Sequence, residues 1–471
     1  MISDYVKPLV PLIPGLTKLP PLDQIAPPTL ASPILIFRVG TADARESIIQ
    51  DLQDGLAKAI EEMPFLAADV VPDDVKRGTI QLEIKDGAGV WFHIRELPTL
   101  NFEVLEQRKF LPISLPFNEL VPEPRLHSYV RTPVLTIQAT FITGGLLLVL
   151  HFHHSIMDGN GVGIFGRVWA KHVRAVSEGL HVQEFLDSDC LDRSKIFADS
   201  RFCKELSELT NCRLLKTGRR GDFERKLLEA TLAGNTSMSI FQITKRLHTT
   251  YWHVSPESMQ SMKQAMSPTT VGAPFPTENS LLSALIWRHF TRARQLSSKG
   301  IKSTAIVTAV NVRPRLEPAL SPDYAGNAVA NAKAVARTAD VEAEMPLHEL
   351  ASQISDSINW WTSERVRGYI AAIDATPCVD SVEMAADYFQ GPDILITNNG
   401  SFNDMLNDEW GVDLGSPSCL RLPHIPVFEG LVLVLPSNEE GAVEMEIFLE
   451  EETLRRLRED KEWTAFASEI L

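Results

Sequence analysis

The chain lacks the features that mark several large classes of protein. No run of 18 apolar residues occurs, so no segment is long enough to span a bilayer as a helix. Cysteine is sparse: Cys190, Cys203, Cys212, Cys378 and Cys419 are an odd five in 471 residues, and none forms a CxxC pair. This argues against a disulfide framework and against a Cys-ligated zinc site, and predicts reduced, mostly buried thiols. Positive charge is in deficit. The 45 Lys and Arg face 61 Asp and Glu, a formal net charge of −16. That disfavours nucleic acid or an anionic membrane surface as the main partner, because both select a basic face. A small anionic cosubstrate needs only a local cluster of cations and stays compatible. No GxSxG elbow is present to carry a nucleophilic serine. Prolines 8, 11, 14, 20, 21, 27 and 28 break any apolar helix at the N-terminus, so no signal peptide is expected. Without one, the pattern Asn235-Thr236-Ser237 is a glycosylation sequon by chance. The expectation is a soluble, cytoplasmic monomer.

What is present reads as an ordinary globular protein, with 44% hydrophobic and 23% charged residues. The length predicts two or three domains. Residues 1–30 read as an extended, Pro-rich lead-in and 33–39 as a strand. Ile48, Leu52, Leu56 and Ile60 recur at helical spacing. Two apolar runs, 134–142 and 146–153, flank Gly144-Gly145 and predict a hairpin. An amphipathic helix follows over 160–178, with Val162, Phe165, Val168, Trp169 and Val173 on one side. Residues 180–235 carry charge runs and no sustained apolar period, and read as a crossover. A second half opens with a strand at 247–254 and a short helix at 256–264. A helix over 278–294 follows, capped by Thr277, then strands at 304–312 and 394–397 and a hairpin over 430–449. The boundaries expected are 1–190 for an N-terminal domain, 191–235 for a linker and 236–471 for a C-terminal domain. A segment near 370–415 is expected to pack back on the first.

The chemistry concentrates at the end of the first hairpin. An apolar strand delivers His151, His153 and His154 to its exit, and Ser155-Ile156-Met157-Asp158-Gly159 turns the chain into the next helix. Histidine titrates near neutrality and suits proton abstraction. Asp158, in the turn, can fix the local backbone. His151 and His153 share one strand face and read as hydrogen-bonded strand residues. A zinc site from His151, His153 and Asp158 would need a further ligand, and none is evident. Gly161, Gly163 and Gly166 formally match GxGxxG. They lie too far past the strand, however, and no βαβ partner follows, so close helix packing explains them better.

His154-Ser155-Ile156-Met157-Asp158-Gly159 resembles the HxxxDG motif of the BAHD acyltransferases, in particular their fungal secondary-metabolite O-acetyltransferase branch of trichothecene-acetyltransferase type. Other segments resemble the family in the same order. Leu19-Pro20-Pro21-Leu22-Asp23-Gln24 is similar to its opening. Thr277-Glu278-Asn279-Ser280 through Arg294 resembles its helix. Asn311-Val312-Arg313-Pro314-Arg315-Leu316, followed by Tyr324-Ala325-Gly326-Asn327-Ala328-Val329, resembles its second-domain signature. Asp413-Leu414-Gly415-Ser416-Pro417 stands where the family has DFGWG, keeping Asp413 and Gly415 but lacking the Phe and the Trp. Asn399-Gly400-Ser401-Phe402 matches the family's Thr/Ser-Ser-Trp element loosely, and the ending 430–436 also fits.

The resemblance implies an α/β fold of two chloramphenicol-acetyltransferase-like domains, each a mixed sheet with flanking helices, and an active-site channel between them. It implies acyl-CoA, acetyl-CoA first, as cosubstrate, with no permanently bound cofactor and no metal. The other partner would be a small-molecule acceptor bearing a hydroxyl or amine. His154 would be the general base. Asp158 would pair with Arg313 to brace the turn, and Asp413 and Gly415 would support the fold. Asn398, Ser401 and Tyr324 are candidates for substrate or oxyanion contacts. Lys245, Arg246 and Lys263 are candidates for the CoA phosphates, with Lys216, Arg219 and Arg220 behind them. Two alternatives stay open. One is a condensation-type domain fed by a carrier-protein thioester, since His153-His154 begins an HHxxxDG pattern. The other is a non-catalytic binding protein on the same scaffold.

Overall fold

The computed structural model describes residues 1–470 apart from 41, 123–130, 181–184, 203–205, 207–208, 210, 215–246, 266–275, 389–390, 423–427 and 438–440. Two seven-stranded mixed sheets organise the chain. The first runs in the order Ile2–Val6, Val90–Asn101, Leu135–Thr143, Gly145–His153, Ile34–Arg38 and Cys419–Arg421, with Leu30–Ala31 also pairing to the end of Gly145–His153. Its centre is the predicted hairpin. Leu146 through Leu150 are completely buried, so this run reads as continuous apolar sequence and not as alternation. Gly144 turns the hairpin at φ +74°, a left-handed conformation that a Cβ disfavours. Val90–Asn101 pairs in parallel with Leu135–Thr143, which makes the sheet mixed.

The helices Arg45–Glu62 and Gly159–Ser177 pack together with this sheet in one core. They approach so closely that a Cβ on Gly55 would lie 2.6 Å from the Val173 side chain. Trp169 Nε1 donates to the Leu52 carbonyl at 3.0 Å across the same contact.

The second sheet has the order Val329–Arg337, Ser303–Asn311, Ile394–Asn398, Leu431–Leu435, Val443–Glu450, Leu247–Val254 and Ser468–Ile470. Ile394–Asn398 is parallel to both of its neighbours. The helix Glu278–Ala293 supplies the core of this half with Leu281, Leu285, Ile286, Trp287 and Phe290, and Thr277 caps it by accepting the Ser280 N–H at 3.2 Å.

Three features depart from the sequence reading or sharpen it. The N-terminal lead-in is not simply extended: it forms the edge strand Ile2–Val6, a strand Gly15–Lys18 in a separate four-stranded sheet, and the short helix Pro21–Ile25. Proline is tolerated at the first helical position because its missing N–H has no partner there in any case. Chain from the second half closes the first sheet: Cys419–Arg421 pairs with Ile34–Arg38. Phe402, Met405, Leu406, Trp410 and Leu414 join the first core, whereas the helix Ser363–Ala375 packs with Leu22, Val310 and Tyr324. Of the 180–235 crossover, the described part contains short 3-10 turns and the strand Cys212–Leu214. Among the described residues no helix is long and apolar enough to cross a membrane.

Candidate active site

His154 stands one residue past the strand Gly145–His153. Its backbone N–H donates to the Thr29 carbonyl at 2.8 Å, and Ile156 N–H returns to the His153 carbonyl at 3.0 Å, which closes a tight turn. Asp158 ends that turn as the N-cap of Gly159–Ser177 and accepts the Gly161 N–H at 2.9 Å. The imidazole is half-buried, with Nδ1 sealed from solvent. Burial pushes its pKa below the usual 6.5, against the opposing pull of its own backbone oxygen and the Asp158 charge. That shift favours the neutral ring, the state a proton acceptor needs.

The neighbouring histidines are strand residues. His151 is buried with Nδ1 2.6 Å from Ser32 Oγ, and burial lowers its pKa to about 4. His153 Nδ1 accepts the Ser155 N–H at 3.3 Å. Neither gathers with Asp158 into a metal-binding group. Among the described residues, the group with ligand atoms close enough is instead His289, Asp460 and Glu462. Those residues are engaged with one another and with a cation: His289 Nδ1 lies 2.7 Å from Asp460 and Arg292 holds Glu462 at 2.8 Å.

Asp158 and Arg313 are both buried and meet as a two-pronged pair, Nη1 to Oδ2 at 2.8 Å and Nη2 to Oδ1 at 2.9 Å. The Ala328 N–H adds a bond to Oδ2 at 2.9 Å, so with Gly161 each carboxylate oxygen accepts two donors. Arg313 also donates to the carbonyls of Tyr324 and Gly326. A buried ion pair is stable only when its remaining donors and acceptors are satisfied in this way. The turn under His154 is thus tied to the second-half signature. A second buried pair, Arg193 with Asp23, lies beside it. Nothing in the sequence singled out Arg193, which sits in the stretch without apolar period; Asp23 was visible only through the resemblance of the opening segment.

The other expected residues scatter. Tyr324 is corrected: it is completely buried among Arg313, Arg193 and Gly326, so its ring presents no surface to a substrate. Asn398 is exposed at the carboxyl end of its strand, donating to Asn279 Oδ1 at 3.1 Å and accepting the Gly400 N–H at 2.8 Å. Ser401 lies in the turn Gly400–Phe402, its side chain outside the described set. Lys263 forms an ion pair with Glu278. Lys245, Arg246, Lys216, Arg219 and Arg220 lie outside the described residues. Asp413 is exposed and accepts from Ser47 Oγ at 2.7 Å, and Gly415 adopts φ +61°. The aromatic anchor of this loop is Trp410, which reading by motif position missed. It is buried against Phe37 and Trp169, with ring centroids 5.6 and 5.1 Å away.

Gly161 and Gly166, after the turn, are packing residues. A Cβ on Gly161 would lie 2.3 Å from the Ala325 carbonyl oxygen, and one on Gly166 2.6 Å from Met405. Gly161→Ala must push apart the helix start and the signature segment that Arg313 joins. It is expected to destabilise the protein by about 1–3 kcal/mol, read as a lowered urea midpoint. Gly15→Ala, where nothing lies within 4 Å, should leave that midpoint nearly unchanged. Equal midpoints for the two variants would show that the close approach does not exist.

A model of the Transferase family matches residues 1–464. Acyltransferase cm3D of Cordyceps militaris is 26% identical, over 95% of both chains. Trichothecene 3-O-acetyltransferase TRI101 of Fusarium sporotrichioides is 25% identical, over 93% of both. The crystal structure of F. sporotrichioides TRI101 complexed with coenzyme A and T-2 superimposes with a TM-score of 0.80, covering 97% of this chain and all of that one at 20% identity. The two mixed sheets, the capped turn after His154 and the length of this match agree, and the chain belongs to the Transferase family of BAHD-type acyltransferases.

Proposed function

We propose that the protein transfers an acyl group, acetyl first, from acyl-CoA to a hydroxyl of a small secondary metabolite, with an amine as the second acceptor type. The observation that carries this is a half-buried His154, its pKa lowered by burial, on a turn pinned by a fully satisfied ion pair. The relatives support the substrate class: TRI101 is crystallised with coenzyme A and T-2, and a Penicillium roqueforti relative is an eremophilane O-acetyltransferase.

In this reading, His154 Nδ1 keeps the ring proton facing its own backbone oxygen, and Nε2 carries the lone pair. The acceptor O–H gives its proton to Nε2 as its oxygen attacks the thioester carbonyl. The tetrahedral oxyanion needs a positioned donor. Asn398 has one amide hydrogen beyond its bond to Asn279 and is the residue proposed. Collapse expels CoA as a thiolate, a good leaving group because a thiol's pKa is only about 8.5. The proton on His154 then passes to that sulfur or to water. Asp158 and Arg313 touch no reacting atom here; they hold the turn. Lys245 and Arg246 remain the proposed cations for the CoA phosphates.

The thioester is already activated, so direct transfer within a ternary complex is expected, without an acyl-enzyme. The test is a metabolite panel with acetyl-CoA, read by thiol release and by the mass gain of one acetyl group. Initial-rate plots against acetyl-CoA at several acceptor concentrations should intersect. Incubation with acetyl-CoA alone should leave the protein's intact mass unchanged. Parallel lines with a stable acetyl adduct would overturn the direct mechanism, and absence of any acceptor-dependent thiol release would overturn the transferase reading.

A further inference from the structure

Two arginines grip the turn under His154, and only one of them belongs to the pair implied by the family motif. Arg193 comes from the 3-10 turn Arg193–Ile196, after the helix that Asp158 caps. Its side chain is 8% exposed. Nη2 donates to the Ile156 carbonyl at 2.9 Å, in the middle of the His154–Asp158 turn, and Nη1 bonds Asp23 Oδ2. Asp23 has no exposed surface. Its other oxygen accepts both the backbone N–H and the side-chain amide of Asn327, each at 3.0 Å. The next residue, Ala328, donates its N–H to Asp158.

These bonds close a ring: Ile156 to Arg193, to Asp23, to Asn327 and Ala328, to Asp158, and back through Met157 to Ile156. Four segments far apart in sequence meet there: the helix Pro21–Ile25, the catalytic turn, the crossover and the second-half signature. Gly326 completes the fit. A Cβ there would lie 2.7 Å from Arg193 Nη1 and 2.5 Å from the Tyr324 hydroxyl.

We propose that Arg193, oriented by Asp23, is a positioning residue for His154, setting the height of the turn through the Ile156 carbonyl. The proposal rests on the reading of His154 as the base. Asp158 restrains the end of the turn, whereas Ile156 is its apex; fixing only one would leave the imidazole free to tilt. A planar guanidinium spans a carboxylate and a carbonyl at once, which a lysine ammonium at the same place cannot do with the same geometry.

Arg193→Lys keeps a cation against Asp23 and loses the bridge. Asp23→Asn keeps an acceptor for Asn327 and loses the charge that orients Arg193. Each is expected to lower kcat on the order of 10²-fold, as a displaced reacting group does, with KM for acetyl-CoA little changed. In histidine-ring carbon–proton NMR spectra the His154 signal, assigned by its loss in His154→Ala, should move in both variants, while the signal of remote His289 stays. The NMR arm needs no turnover. A moved His154 signal in a protein without transferase activity would sink the base assignment and leave the mechanical link standing. Two folded variants with wild-type kcat and an unmoved His154 signal would overturn the proposal and reduce the pair to a structural tie.

Discussion

His154→Ala is expected to abolish transfer, lowering kcat by roughly 10²- to 10⁴-fold, the usual contribution of a general base, with the fold intact. The side chain is half-buried and makes no bond that the turn depends on. The turn is held instead by the backbone of His154, by Asp158 and by Arg193. The measurement is kcat with acetyl-CoA and the best acceptor, beside circular dichroism and thermal unfolding. The pH profile adds a check with a definite sign. Burial lowers the His154 pKa below 6.5, so the active neutral form persists to lower pH than for a free histidine. kcat/KM should fall on the acid side through a pKa below 6.5, and rates at pH 6.5 should exceed half the plateau. A folded variant with near-wild-type kcat would remove His154 from the mechanism.

The second large effect concerns the brace. Asp158→Asn and Arg313→Ala each leave a buried group without its counter-charge, which typically costs about 3–5 kcal/mol. Arg313→Ala also orphans the carbonyls of Tyr324 and Gly326, while Asp158→Asn loses acceptor strength toward Gly161 and Ala328 as well as Arg313. Both variants should therefore unfold at lower urea and turn over more slowly. Because the two side chains bond each other twice, the double variant should lose less than the sum of the singles. Strictly additive losses in a double-mutant cycle would mean that the pair carries no coupling.

The parts of the site that were legible in advance are those written in consecutive residues. An apolar run ending in histidine, then a turn with an Asp ahead of an amphipathic helix, identifies a strand exit and a residue able to fix the local backbone; in the structure that Asp caps the helix. The residues found there bond as that pattern requires. Expectations that depended on distant chain fared unevenly. The family motifs brought Asp158 to Arg313, but Tyr324, in the same signature, proved to be interior. Lys263, read as a cation for phosphate, is paired with Glu278 one helix away. A charge in sequence does not say which opposite charge will be its neighbour.

By itself the sequence determined the first hairpin and the strands at 33–39, 247–254, 304–312 and 394–397, the helices that begin near Arg45, Gly159 and Glu278, and the position of His154, because those follow from periodicity and from hydrogen bonds spanning a few residues; the strands Val90–Asn101 and Val329–Arg337 and the helices Leu347–Asn359 and Ser363–Ala375 were not read from it. Only the tertiary structure decided what holds that turn. Asp158 and Arg313 are 155 residues apart, and Asp23 and Arg193 are 170 apart. The strand Cys419–Arg421 returns from the far half to close the first sheet. Such partners are selected by burial: an ionised group taken out of water must be met by whatever complementary group the fold places beside it, and that placement depends on the packing of the whole chain, which no local spacing encodes.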